Sequence, residues 1–300
     1  MRSVKAMNRS RAVPILAVLR PHHWLKNLLI LLPGLAGHVG SPAAFATALV
    51  AIAAFSLCAS AGYVLNDIVD RADDRGHPVK RSRPFAAGEL SIGHGMILPP
   101  LLLGAALGLG WYISPAFAAV LGGYFFASLA YSLAIKRLLA LDVTLLACLY
   151  GLRVIAGGLA FAVPLSEWLV AFSVFLFLCL ALMKRGADLA YRVRAGLGDP
   201  SGRPYRLEDG PILGCLSAAF GAAALVVLAL YINSPAVVRL YAFPEALWGT
   251  GLILAYWLCR ILILAHRGEL RDDPVAFAAT DAPSLVCGAL TVAIVLGWAL

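Results

Sequence analysis

The sequence predicts an all-α integral membrane protein with nine transmembrane helices. Three observations carry this prediction. Of 300 residues, 61% are hydrophobic and only 13% charged, where soluble domains average about 25% charged. Residues 27–66 and 90–135 contain no Asp, Glu, Lys or Arg, and stretches of that length are too long for ordinary core helices. The charges gather in alternate connections between apolar stretches. Together these exclude secreted, fibrous, disordered and nucleic-acid-binding classes, and make the formal net charge of +8 a matter of membrane loops and anionic headgroups.

The spans follow from the breaks. Pro33, Gly34 and Gly40-Ser41-Pro42 divide the first apolar stretch into spans at about 16–39 and 43–65. Ser114-Pro115 splits the second into about 92–113 and 116–135, each near the roughly 20 residues a bilayer needs. Further spans fall at about 141–162, 165–184, 211–232, 244–265 and 282–300. Pro164, Pro211, Pro244 and Pro283 stand at or beside their starts, where a missing N–H does no harm.

With the amino end in the cytoplasm, 22 of 24 Lys and Arg residues fall on that side, leaving Arg239 in an outer loop and Arg153 within a span. The positive-inside rule therefore sets the amino end in the cytoplasm and the carboxyl end outside. Fourteen of the 16 acids follow the same map, all but Glu167 and Glu245. Clustering of both signs on one side points to a site there. The basic start, with Arg2, Lys5, Arg9 and Arg11, leads to Arg20-Pro21-His22-His23-Trp24-Leu25-Lys26 without a cleavage signature and reads as an interfacial anchor. All six cysteines lie inside spans without a CxxC pair, so neither a disulfide framework nor a zinc site is expected.

Span two ends in Asn66-Asp67-Ile68-Val69-Asp70-Arg71-Ala72-Asp73-Asp74-Arg75. Helical spacing predicts Asn66, Asp67, Asp70 and Asp74 on one face. Such oxygen side chains repel one another unless a cation is shared, and hard oxygen ligands suit magnesium, with manganese meeting the same argument. Magnesium keeps open positions for phosphate oxygens, so a phosphorylated substrate at the membrane surface is implied. Downstream, His77-Pro78-Val79-Lys80-Arg81-Ser82-Arg83-Pro84 is expected to fold back over the acids, with Lys80, Arg81 and Arg83 taking phosphate oxygens not held by metal. Arg153 is costly inside a span and is expected to face an internal cavity; eleven residues of helix separate it from Asp142. Lys26 and Asn27, at the inner end of span one, are candidate contacts for a lipid phosphate. Asp272, Asp273 and Asp281 read as a solvated loop.

Asn66-Asp67-x-x-Asp70-x-x-x-Asp74 after the second span, nine spans and an Arg-Pro-x-x-Trp start at Arg20 together resemble the UbiA superfamily of intramembrane transferases over nearly the whole chain. The resemblance implies a single domain over 1–300. It also implies helices bundled around a central cavity that opens to the cytoplasmic side, active-site loops at about 66–90 and 184–210, and a metal diphosphate at the first motif. Asp67, Asp70 and Asp74 are then the catalytic acids, and Tyr131, Lys136 and Asp142 candidate cavity residues. The superfamily also places an Asp-x-x-x-Asp motif after the sixth span, where this chain has Lys184-Arg185-Gly186-Ala187-Asp188, with Lys184 in place of the first acid. A basic second site is poor for another metal and good for a second anionic substrate, with Lys184, Arg185 and Asp188 as substrate-site residues.

Within the superfamily the pattern looks like the decaprenyl-phosphate phosphoribosyltransferase branch. Its supporting stretches are Arg20 to Asn27, Lys80 to Pro84, Leu152 to Gly158, Lys184-Arg185 and Asn233-Ser234-Pro235, and His266 to Pro274 resembles a relative in which this transferase is fused to a phosphatase-like domain. That branch implies transfer of the 5-phosphoribosyl group of phosphoribosyl pyrophosphate to a polyprenyl phosphate in bacterial cell-envelope lipid synthesis at the inner membrane. The implied partners are those two substrates and the membrane, with no nucleic acid; a homo-oligomer is left open. The incoming phosphate oxygen is already anionic at pH 7, so no strong general base is required. The nearest alternative is an aromatic prenyltransferase of the same fold, against which the missing second acid stands. A transporter should show midplane polar groups on broken helices and inverted repeats, whereas these charges gather at one face.

Overall fold

The computed structural model describes residues 12–76, 80–200, 202–235, 237, 241–270 and 273–297. Arg2, Lys5, Arg9, Arg11, His77 to Val79, Arg239 and Arg271-Asp272 lie outside the described residues, as does the Lys80 side chain. Every regular element among the described residues is helical. The main helices are α1 (Ala12–Leu19), α2 (Leu31–Ala36), α3 (Pro42–Val69), α4 (Arg71–Arg75), α5 (Pro84–Ala87), α6 (Ile92–Ile113) and α7 (Pro115–Leu133). They continue with α8 (Leu141–Phe161), α9 (Glu167–Arg194), α10 (Gly210–Ile232), α11 (Trp248–His266), α12 (Pro274–Ala278) and α13 (Ala282–Gly297).

Among the described residues seven helical segments are long and apolar enough to cross a bilayer, which makes this a multi-pass membrane protein. They correspond to the second through eighth expected spans. The ninth is represented by the 16 residues of α13, followed by three residues outside the description. The first expected span is not one α-helix. It is divided into α1, a 3-10 segment over Pro21–Ile30, and α2. Pro21 lacks an N–H and disfavours a helical residue before it, so α1 ends at Leu19, and Arg20 takes a left-handed conformation at φ 53° and ψ 60°.

Starts occur where the local chemistry calls for them. Ser41, Ser114 and Ser166 each accept a hydrogen bond from the backbone N–H three residues on, at 3.0–3.2 Å, which satisfies an otherwise orphaned donor of α3, α7 and α9. Both α3 and α9 run for 28 residues. At about 1.5 Å per residue they outreach a hydrocarbon core about 30 Å thick. The expected loops at 66–90 and 184–210 therefore begin as helix: Asn66 to Val69 belong to α3 and Lys184 to Arg194 to α9.

Helix α8 is central. One apolar cluster joins it to α3, α6 and α7 through Phe55, Ala106, Phe117, Leu121, Tyr124 and Leu149. Another joins it to α9 and α11 through Tyr150, Val154, Phe177, Met183, Leu258 and Ile261. Outward faces carry exposed Phe45, Leu101, Phe126 and Leu252, as suits a surface solvated by lipid. The 3-10 segment and α2 lie against α8 so closely that a Cβ on Gly157 would stand 2.2 Å from the Ile30 carbonyl oxygen and 2.9 Å from Pro33 Cδ. Since the obstruction is backbone, Gly157→Ala is expected to destabilise the protein by at least about 1–3 kcal/mol, read as a lowered thermal midpoint in detergent. A Gly122→Ala control, with nothing within 4 Å of the added Cβ, should leave the midpoint nearly unchanged.

Candidate functional site

A cavity of about 1440 Å³ lies among the charged ends of the helices, lined from the 3-10 segment, α3, α7, α8, α9 and the connection that follows α9. Its volume exceeds the roughly 300–1,000 Å³ typical for one small ligand. Asn66, Asp70, Asp73 and Asp74 form one wall. Lys26, Tyr150, Arg153, Lys184 and Arg185 form another.

The acidic wall departs from the expected arrangement at one position. Asp67 is 2% exposed and does not line the cavity; Arg20 Nη2 donates to its Oδ1 at 2.5 Å. Arg83 Nη1 donates to Asp74 Oδ2 at 2.7 Å and stands 3.2 Å from Asp67 Oδ1. The reason is geometric: Asp67 follows Asn66 on α3 and so points about 100° away from it, whereas Asp70, Asp73 and Asp74 come at or after the end of α3 and line the cavity. Asp73 is thus a cavity residue that the spacing argument passed over. Asp70, where α3 gives way to α4 at φ −80° and ψ 2°, receives Lys136 Nζ at 3.2 and 3.3 Å. Of the basic stretch, Arg83 folds back over the acids as expected, whereas Arg81 is exposed and does not line the cavity.

Among the described residues no three His, Cys, Asp or Glu side chains converge to hold a metal ion. The donor chemistry nonetheless fits a hard divalent cation. Asn66, Asp70, Asp73 and Asp74 present oxygen to the cavity, and the ammonium of Lys136 and guanidinium of Arg83 stand on the carboxylates where a cation belongs.

On the cationic wall, Asp273 is the organising acid. The expected solvated loop is instead buried at this residue, which is 5% exposed. Both its oxygens accept from Tyr150 Oη at 2.6 Å, and Oδ2 also accepts Lys184 Nζ at 2.9 Å and pairs with Lys26 Nζ at 3.0 Å. Burial raises its carboxyl pKa, but the Lys184 and Lys26 ammonium groups, with hydrogen bonds from Lys184 and Tyr150, outweigh that and hold it well below the usual carboxylate range. Arg153 is also buried. Its Nε donates to Asn27 Oδ1 at 2.9 Å, Nη2 to Tyr124 Oη at 2.9 Å and Nη1 to the Leu149 carbonyl at 2.6 Å. Asn27 is fully buried, hydrogen-bonds Ser56 at 2.9 Å and does not line the cavity, so it orients Arg153.

Arg185 is compensated. Its Nε donates to Asp142 Oδ2 at 2.8 Å and its Nη2 to Tyr131 Oη at 2.6 Å, while Tyr205 Oη donates to Asp142 Oδ1 at 2.5 Å. Burial, followed by the hydrogen bond to the Asp142 carboxylate, pushes the Tyr205 hydroxyl above its ordinary pKa. Tyr131 also accepts Arg203 Nη1 at 3.0 Å from the connection after α9. Asp188, at the cavity edge, pairs loosely with Arg192 at 3.6 Å. Arg20, Tyr150, Arg203, Tyr205 and Asp273 were not singled out as site residues by sequence reasoning. A signal existed for Asp273 only in its place before Pro274, a helix-start pattern.

The UbiA prenyltransferase family matches residues 27–280. The protein y4nM of Sinorhizobium fredii is 36% identical over 293 residues, 96% of this chain, which spans 57% of that protein's length. The nodulation protein NoeC of Azorhizobium caulinodans is 36% identical over 270 residues, covering 89% of this chain and 87% of NoeC. The decaprenyl-phosphate phosphoribosyltransferase of Mycolicibacterium smegmatis is 37% identical over 188 residues, 61% of this chain and 59% of that enzyme. A UbiA homologue from Archaeoglobus fulgidus, solved with GPP and Mg2+, shares the fold with a TM-score of 0.71 at 18% identity, covering 94% of this chain and 98% of that one.

Removing one partner of a buried ion pair leaves an uncompensated charge. Arg185→Met should therefore lower stability by about 3–5 kcal/mol, and adding Asp142→Leu should recover part of the loss, both read by thermal unfolding in detergent.

Proposed function

The chain belongs to the UbiA prenyltransferase family, and from that premise we propose that it transfers the 5-phosphoribosyl group of phosphoribosyl pyrophosphate to a polyprenyl phosphate, releasing pyrophosphate. The observation that carries this reading is the cationic wall. Lys26, Arg153 and Lys184 face the same cavity as the acids, and an excess of cations there calls for an anionic second substrate rather than a neutral aromatic ring. The size of the cavity and the similarity to decaprenyl-phosphate phosphoribosyltransferases over 61% of the chain support it. The reaction takes place in one domain over 1–300, at the cytoplasmic face of a bacterial inner membrane, with the amino end cytoplasmic.

Asn66, Asp70, Asp73 and Asp74 are the residues to hold a magnesium or manganese ion. When bound, that ion neutralises negative charge on the diphosphate. Asp67 acts from behind them by fixing Arg20 and Arg83. The chain's own cations do the rest. Arg83, freed from Asp74, and Lys136, freed from Asp70, are placed to meet diphosphate oxygens, and Lys26, Arg153 and Lys184 to hold the acceptor phosphate. The bond between the anomeric carbon and the pyrophosphate oxygen breaks with its electron pair leaving on pyrophosphate. A phosphate oxygen of the acceptor supplies the new bond. That oxygen needs no deprotonation at neutral pH, so orientation takes the place of base catalysis.

Purified protein in detergent, given labelled phosphoribosyl pyrophosphate and polyprenyl phosphate, should place label in the lipid. Chelation should abolish transfer, and magnesium or manganese should restore it. Asp70→Asn and Lys184→Asp should each lower turnover by about 10²-fold or more. Transfer from a prenyl diphosphate to an aromatic acceptor, with none from phosphoribosyl pyrophosphate, would replace this reading with ordinary prenyl transfer.

A further inference from the structure

Two lysines from distant parts of the chain meet on one buried carboxylate. Lys26 comes from the 3-10 segment and Lys184 from α9, while Asp273 immediately precedes α12. Lys26 is 8% exposed. Both ammonium groups lie within 3.0 Å of Asp273 Oδ2. Asp273 is itself fixed twice, by the Tyr150 hydroxyl at 2.6 Å from each oxygen and by the Val275 N–H, which donates to its Oδ1 at 3.2 Å. Tyr150 also places its ring beneath two cations, with Lys26 Nζ 5.7 Å and Arg153 Cζ 5.6 Å from its centroid. Among the described residues no carboxylate stands within ion-pair distance of Arg153. Two ammonium groups thus share one carboxylate while Arg153 has none, and these three cations carry a positive excess where desolvation makes excess charge expensive.

We propose that Asp273 is a positioning residue for a phosphate-binding site: held by Tyr150, it fixes Lys26 and Lys184 side by side so that they and Arg153 take the phosphate of a substrate. Without the shared carboxylate the two ammonium groups repel, and Lys184, the more exposed of them at 32% of its side chain, swings toward solvent. The site then loses the geometry in which three donors converge. This deepens the phosphoribosyl-transfer reading by giving a role to the last connection of the bundle, and it rests on that reading only for the identity of the phosphate's owner.

The test is direct binding by the full chain in detergent, with chelator present so that the acidic wall takes no part. Inorganic pyrophosphate and a short polyprenyl phosphate are titrated separately by calorimetry against the native protein and against Asp273→Asn, which keeps an acceptor for Tyr150 and loses the charge. Asp273→Asn should weaken binding of at least one ligand by about tenfold. In a Lys184→Met background the same substitution should weaken it by about threefold or less, since its effect runs through the lysine. Dependence confined to the polyprenyl phosphate assigns the site to the lipid; dependence confined to pyrophosphate assigns it to the leaving group. Unchanged or tighter binding in Asp273→Asn, or an undiminished effect in the Lys184→Met background, overturns the proposal. Tyr150→Phe, which removes only the hydroxyl holding Asp273, should weaken binding by about threefold and decides the matter if Asp273→Asn does not fold; no weakening there overturns the proposal. Asp273-dependent binding without phosphoribosyl transfer would sink the proposed reaction and leave this site standing.

Discussion

Because residue 157 is glycine, the Ile30 carbonyl reaches a place that a Cβ would contest at 2.2 Å, and the rest of the site depends on that approach. It sets the depth at which the 3-10 segment enters the bundle against α8. At that depth Asn27 Oδ1 meets Arg153 Nε at 2.9 Å, and Lys26, one residue earlier, meets Asp273 at 3.0 Å. At about three residues per turn the 3-10 segment aims positions 26 and 27 about 120° apart, so one side chain reaches Asp273 and the next Arg153. Here Pro21 breaks the helix, Arg20 takes a left-handed conformation beside it, and the same Arg20 reaches Asp67 on α3. The interruption of the first membrane segment therefore serves both walls of the cavity.

Helix length does the complementary work. Because α3 and α9 outreach the apolar slab, the acidic face at Asn66 to Asp74 and the basic face at Lys184 and Arg185 are raised on rigid helix instead of mobile loop. Rigid elements hold site geometry more closely than loops do. The bundle ends are then tied around the cavity by ion pairs, Lys136 to Asp70 and Arg83 to Asp74, and by the hydrogen bond from Arg203 to Tyr131.

What the sequence made legible was whatever periodicity and breakage encode. Seven spans and their starts were readable because proline, glycine and serine punctuate uncharged stretches, and the acids of the first motif because they recur at helical spacing. The face of Asp67 was misread, since 66 and 67 are adjacent and cannot share a helix face with equal weight. Asp273 was illegible for a different reason. It lies between α11 and α12 with no period to place it, and its partners are 89, 123 and 247 residues away in sequence. Only the fold brings Lys184, Tyr150 and Lys26 to it.

The two buried arginines of the cavity show why the cationic wall has a polarity of purpose. Arg185 and Arg153 are both less than 10% exposed and both bond a tyrosine hydroxyl. Arg185 faces Asp142, so its charge is cancelled inside the protein. Arg153 faces an amide oxygen, a phenol and a carbonyl, all neutral, and gains partial relief from aromatic faces at 4.7–5.7 Å. Dipoles and ring quadrupoles can hold a guanidinium in place, but they do not neutralise it. A protein that needed Arg153 only for packing would fare better with an apolar residue of similar volume. Retaining an uncancelled cation beside a second partly cancelled pair makes sense when the missing negative charge arrives with the substrate, and then the cost of burying Arg153 is recovered at the moment an anionic ligand enters the cavity.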